Sequence, residues 1–304
     1  MASSVAGRFT AALEGLGARV KILPIQRWED VEREMAGHYK QMDRAFFETW
    51  FSGRFRACDD HLPGAQSLVV VAVPSPVAEV RFSFRDGSRS FTVPPTYVYR
   101  EDEQRVSGVL SGTLGAEGLH FKRAELPAKL LAARSGLGEY GRNNICYVGG
   151  MGSFCRLMTY YAGLLPQDDD WREAKSMDAC EGCSACMSQC PTGSIRRDRF
   201  LIGADRCLTS FNEMGGHFPS WLDPRWHHCL VGCMRCQAVC PQNRDYLGRV
   251  TVQGTFDLAD TSMILEGLPL EDLPARTQEK LEVLGLKEYY PILGRNISLL
   301  VSLE

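Results

Sequence analysis

Several things are missing from this 304-residue chain, and each absence removes a class of protein. No apolar run reaches the roughly 20 residues that a membrane-spanning helix needs. The first residues, Met1 to Arg8, lack the basic-then-apolar layout of an export signal, so the expectation is a cytoplasmic protein without a membrane partner. A net charge of −3 brings no general attraction to nucleic acid or to anionic lipid. Apart from one cysteine motif the sequence contains no internal repeat and no low-complexity tract.

Cysteine is abundant. Of the 12 in the chain, nine lie between residues 180 and 240. Thiols packed that densely in a chain without an export signal are more often metal ligands than disulfides. The first motif is Cys180-x2-Cys183-x2-Cys186-x3-Cys190-Pro191. Two-residue gaps aim three sulfurs at one site, while a fourth cysteine followed by proline serves a second. The second motif is Cys207, then Cys233-x2-Cys236-x3-Cys240-Pro241, with a long insertion after its first thiol. Eight ligands suffice for two [4Fe–4S] clusters. The pseudo-twofold pattern assigns Cys180, Cys183, Cys186 and Cys240 to one, and Cys190, Cys207, Cys233 and Cys236 to the other. Zinc sites favour paired couplets and leave the closing Cys-x3-Cys-Pro unexplained. Cys229 competes with Cys207 for the last position. Cys58, Cys146 and Cys155 fall outside the pattern and read as buried structural thiols. The adjacent His227 and His228 receive no ligand role.

The remaining chain reads as α+β, with an α/β domain over 1–170, a double-cluster ferredoxin-like domain over 171–248 and a helical segment over 249–304. Residues 1–60 have helical periodicity, strongest around Trp28 to Met35 and Tyr39 to Phe51. Leu68 to Val73 is a β-branched apolar run closed by Pro74, hence a buried central strand. Arg81 to Phe84 and Ser90 to Val93 flank Asp86-Gly87, a hairpin signal. Leu126 to Arg134 is helical and is broken by Gly136, Gly138 and Gly141. Asn144 to Val148 reads as a second buried strand, and Gly163 to Asp170 as an exposed boundary. Beyond Asn243 the pattern is acidic and helical from Leu265 to Leu284, with a last helix near Leu293 to Leu300.

Several segments taken in order resemble the epoxyqueuosine reductase family, a group of iron–sulfur and cobalamin enzymes related to reductive dehalogenases. The likeness runs over about residues 60–304. It rests on Pro63-Gly64-Ala65-Gln66-Ser67, on Ala133 to Asn143, on Gly152-Ser153, on the eight motif cysteines with Cys207-Leu208-Thr209, on Cys240-Pro241-Gln242-Asn243 and on Gly294-Arg295-Asn296. It implies a nitroreductase-like sheet core holding cobalamin, with the clusters feeding its cobalt. It further implies that Gly136, Gly138, Gly141, Arg142, Asn143 and Ser153 face that cofactor, and that a ferredoxin or flavodoxin type donor supplies electrons. A tRNA or a corrinoid protein is the implied macromolecular partner. Two positions depart from the family pattern. Where the resemblance places a proton-donating aspartate, three residues before Pro127, this chain has Ala124, which leaves Glu125 or Tyr97 as candidate acids. The family's lysine in Gly-Lys-Asn is Arg142. Three functions follow: a cobalamin-dependent reductase, a protein that reduces or processes a corrinoid elsewhere, and a plain electron carrier.

Overall fold

The computed structural model describes residues 4–50, 52, 62–98 and 100–303. Cys58, with the expectation of burial attached to it, lies outside them. The chain forms two compact units, neither continuous in sequence: residues 1–74 with 102–183, and residues 75–101 with 184–304. The linear division at 170 and 248 does not coincide with them.

The first unit is built on a four-stranded antiparallel sheet ordered Arg19–Pro24, Ser67–Pro74, Cys155–Ala162, Phe121–Ala124. Ser67–Pro74 is central, as its uninterrupted apolar run requires. Its residues alternate between two helical layers, because successive side chains of a strand point to opposite faces. Val69, Val71 and Val73 pack with Phe9, Leu13, Val106 and Leu110. Leu68, Val70 and Ala72 pack with Trp28, Val31, Leu130 and Leu131. The N-terminal stretch holds helices Val5–Glu14, Arg27–Tyr39 and Arg44–Trp50, but also the strand Arg19–Pro24, which the helical reading did not include. The segment Cys146–Val148 is buried and extended as expected, yet it pairs with Gly138–Tyr140 in a separate hairpin. The strand beside Ser67–Pro74 is instead Cys155–Ala162. The exposed stretch near Asp170 is tied down: Lys21 Nζ meets Asp170 at 2.5 Å and Arg27 Nη2 meets Asp169 at 2.6 Å.

The second unit holds a three-stranded sheet ordered Gly87–Val93, Val77–Phe84, Val250–Phe256. The first two form the expected antiparallel hairpin. The third joins in parallel and precedes the helices Leu258–Glu266, Ala275–Val283 and Tyr290–Val301. Phe82 and Phe256 stack across the pairing with centroids 4.8 Å apart. The helices Leu258–Glu266 and Tyr290–Val301 approach closely at Gly294, where a Cβ would stand 2.7 Å from the Ile264 carbonyl oxygen. Among the described residues no helix is long and apolar enough to cross a membrane.

Candidate iron–sulfur centre

In the first unit the glycine segment is a scaffold for the first cysteines. Tyr140 of the small hairpin accepts a hydrogen bond from Met177 N–H at 2.8 Å and bridges Ser176. This leads the chain into the short helix Asp178–Cys180. Arg142 N–H then donates to Cys180 Sγ at 3.4 Å, and Arg142 Nη2 donates to the Cys180 carbonyl at 2.6 Å. The buried Asn143 closes the turn, donating to the Tyr147 hydroxyl at 3.0 Å and accepting from Ile145 N–H at 3.3 Å. A Cβ at Gly138 would stand 2.7 Å from both Cys146 Sγ and the Tyr147 carbonyl oxygen. At Gly141 it would stand 2.5 Å from Asn143 Oδ1 and from the Tyr147 ring. The close approach that these two glycines allow is therefore to their own chain. Gly136 sits at φ 68°, in the left-handed region that ends a helix. It borders a cleft of about 260 Å³ lined in part by Gly138, Glu139, Arg172 and Lys175. Ser153 is buried just after Gly152.

Cys180 and Cys183 belong to the first unit; Cys186, Cys190, Cys207, Cys233, Cys236 and Cys240 belong to the second. None of the eight is in a disulfide. Burial alone would raise the Cys190 thiol pKa. Hydrogen bonds from the Thr192 hydroxyl and from the backbone N–H groups of Ile195, Ser194 and Thr192 outweigh it and hold the group below its usual range. The Thr192 oxygen lies 3.6 Å from the sulfur. Burial raises the Cys207 pKa, opposed by the hydrogen-bond donors of Thr209. It pushes Cys233 up to about 12, with the charges of Cys207 and Cys190 adding to it. Those three sulfurs thus bear on one another electrostatically. Cys229 is set apart: it is 1% exposed, bridges Thr92 and feels Cys233 alone among them. Among the described residues no three His, Cys, Asp or Glu side chains converge as a single-ion site. A cubane does not ask for that, since each thiolate binds a different iron.

Sequence reasoning missed the network that holds the insertion between Cys207 and Cys233. Buried Asn212 donates to the carbonyls of Cys229 and Gly232, at 3.0 and 2.9 Å. Its carbonyl oxygen meets His227 Nδ1 at 3.1 Å. With both amide hydrogens on carbonyls, that oxygen can only accept, so His227 carries its proton on Nδ1. Burial depresses the His227 pKa to about 4. Asn296 donates to the Asn212 and Leu230 carbonyls, both at 2.9 Å. Arg295 donates to the Gly216 carbonyl at 2.6 Å and lies 4.0 Å over the Phe218 ring. The terminal Gly-Arg-Asn triplet, noticed in the sequence only as a likeness, is the clamp on the second cysteine set. His228 Nε2 accepts from Met234 N–H at 3.1 Å and so holds the loop.

The two candidate acids differ in their surroundings. Tyr97 gives its hydroxyl proton to the Glu213 carboxylate and packs against Gly232, whose φ is 64°. Glu125 is exposed. Its neighbour Ala124 is 3% exposed, with its carbonyl accepting from Thr159 at 2.6 Å and Arg123 at 2.8 Å.

Residues 179–243 match the 4Fe-4S double cluster binding domain. The epoxyqueuosine reductase of Pseudomonas aeruginosa is 27% identical, over 88% of this chain and 72% of its own length. That of Escherichia coli is 34% identical over 38% of this chain, a match spanning only 29% of the relative. The Bacillus cereus enzyme is 26% identical over 60% of this chain and half of its own length. Among solved structures, epoxyqueuosine reductase from Streptococcus thermophilus has a TM-score of 0.64 at 19% identity, covering 97% of this chain and 80% of that one. An epoxyqueuosine reductase solved with an epoxyqueuosine-modified tRNA-Tyr stem loop has a TM-score of 0.60 at 18% identity, covering 97% and 83%. These structures share the fold. The chain is thus similar to epoxyqueuosine reductases, which are oxidoreductases, in sequence over most of its length and in fold, and it contains a double-cluster binding segment.

Proposed function

We propose that this protein is an iron–sulfur, cobalamin-dependent reductase in which two [4Fe–4S] clusters relay electrons from an external ferredoxin or flavodoxin type donor to a corrinoid. The observation that carries the reading is the set of donors around the thiols. Four hydrogen bonds favour the charged form of Cys190, and a backbone N–H meets Cys180 Sγ. Hydrogen bonds to sulfur favour the thiolate over the thiol, and the thiolate is the form that binds iron. Cys180, Cys183, Cys186 and Cys240 would hold one cluster, and Cys190, Cys207, Cys233 and Cys236 the other. Bound clusters supply one-electron transfer.

The corrinoid half of the reading is supported by the family likeness more than by the glycine segment. The space beside Gly138 and Gly141 is filled by Cys146, Asn143 and Tyr147, and that beside Gly136 by the Arg172 guanidinium, which leaves Gly149, with open space, as backbone that a ligand could approach. The visible spectrum of the anaerobically reconstituted protein, with and without cobalamin, tests the proposal. Cluster absorbance with a cobalamin-dependent change is expected; two clusters and no response to cobalamin refute it.

A second reading is favoured by Ala124. Buried among apolar side chains, it supplies no acid, and delivery of electrons to a corrinoid on a partner or free in solution requires none. Restoration of queuosine in a deficient strain supports the tRNA substrate. Reduction of an added corrinoid, followed by its cobalt absorbance, without such restoration supports the second reading.

A further inference from the structure

Arg142 is wrapped around Cys180. Its backbone N–H donates to the sulfur at 3.4 Å and its Nη2 to the carbonyl at 2.6 Å. Its Nε is buried and has no hydrogen-bond partner. A buried cationic donor without an acceptor is unfavourable, and the great majority of such groups are paired. The residue has little freedom to escape: Asn143 fastens the turn to Tyr147 and Ile145, and Gly141 N–H donates to the Ile145 carbonyl at 2.8 Å. The acceptors missing from the protein are those that a cubane brings, its sulfides and thiolate sulfurs.

We infer that Arg142 is a positioning and tuning residue for the cluster ligated by Cys180, its Nε–H donating to a cluster sulfur and its charge raising that cluster's reduction potential. This rests on the cluster reading given above. Reduction adds one electron and one negative charge to the cluster. A fixed cation and an additional donor stabilise the more negative state over the less negative one, and low local dielectric strengthens the effect. Lysine, which the family carries at this place, keeps the charge but lacks the planar fork that lets one side chain hold both the carbonyl and a sulfur.

The test is a potentiometric titration, followed by electron paramagnetic resonance, of the reconstituted holoprotein and its Arg142→Gln and Arg142→Lys variants. The signal that survives in Cys207→Ser identifies the Cys180 cluster. That signal is expected to titrate at lower potential in Arg142→Gln, and at an intermediate one in Arg142→Lys, while the other cluster moves less. Arg196→Gln, an exposed arginine paired with Asp198, should leave both in place. An unmoved Cys180 cluster in Arg142→Gln at full iron content overturns the inference. Should Arg142→Gln lose iron, Arg142→Lys decides: with full iron and an unchanged potential it overturns the inference too. A wild-type protein that binds no cubane sinks the cluster reading itself, and the iron assay distinguishes that failure from the others.

Discussion

Asn296 fastens the final helix to the second cysteine set, and two substitutions there separate its shape from its hydrogen bonds. The side chain is 1% exposed; its amide donates to the carbonyls of Asn212 and Leu230, and its oxygen accepts from Arg295 Nε at 3.0 Å. Both carbonyls lie in the insertion between Cys207 and Cys233. Asn296→Ala removes both donors. A buried acceptor left unpaired costs about 1–3 kcal/mol. With some rehydration of the space left behind, the pair should destabilise the second unit by roughly 2–4 kcal/mol. That is a large part of the 5–15 kcal/mol, or thereabouts, that holds a typical domain folded. Asn296→Asp keeps the shape but offers only acceptors to two carbonyl oxygens. It should be at least as damaging as alanine even though it leaves no cavity. The assay is urea unfolding of the anaerobic holoprotein, with iron content measured in parallel. Iron is expected to fall toward half, as the second set loosens and the first keeps its metal. An Asn296→Asp protein within about 0.5 kcal/mol of wild type, the range of inconsequential surface changes, would refute the reasoning.

Cys207→Ser should halve the iron content, from about eight atoms to about four for two cubanes, whereas Cys229→Ser should keep all of it; the opposite result exchanges their roles. Gly138→Ala drives a Cβ to 2.7 Å from a backbone oxygen and should cost at least the 1–3 kcal/mol, or about that, of overpacking. Gly149→Ala meets nothing within 4 Å and should be neutral. A Gly138→Ala protein that is fully stable yet loses corrinoid binding would give that glycine to the ligand instead. His227 has a folded-state pKa of about 4, below its usual 6.5, so the unfolded chain takes up a proton that the folded one refuses. Its contribution to stability is intact above pH 6.5 and declines as the pH falls toward 4. Urea unfolding of wild type and His227→Gln across that range should show a steeper acid loss in wild type, and parallel curves would contradict it. Ala124→Asp buries a carboxylate in an apolar cluster, which raises its pKa and should destabilise the protein by roughly 1–3 kcal/mol or more. A stable variant that gains epoxyqueuosine reduction would overturn that view of the position.

What could be read from the sequence was what repeats or alternates locally. The cysteine spacing carries its chemistry in ligand intervals alone, and Leu68 to Val73 announces a central strand through its unbroken β-branched run. Its neighbour Cys155–Ala162 carries Arg156 among its apolar residues, so although glycines precede it, its place in the sheet depends on partners far away. Val250–Phe256 was hidden for a related reason. Its burial is confined to Phe256, and its pairing among the described residues is parallel, to a strand some 170 residues earlier. The clamp of Asn212, His227 and Asn296 has no sequence signature, because a buried amide acquires meaning only when chain closure brings carbonyls to it. The glycine segment was located correctly, but sequence could not say what its glycines face. The structure places the chain's own sulfur, amide and ring against Gly138 and Gly141.

Ala124 shows how a single-residue departure involves its surroundings. An acid at that place would need water or a polar partner beside it, and the side chain here is packed with Leu68, Val70, Leu126, Leu130 and Leu131. The polar groups close by, Thr159 and Arg123, are committed to its backbone carbonyl. Moving the acid one residue along does not help, because adjacent positions in extended chain project to opposite sides. Glu125 accordingly stands exposed while Ala124 is buried. A proton donor for an organic substrate must then come from another element or from solvent. Electron delivery needs neither, and the segment that matches a double-cluster binding domain carries all eight of the spaced cysteines.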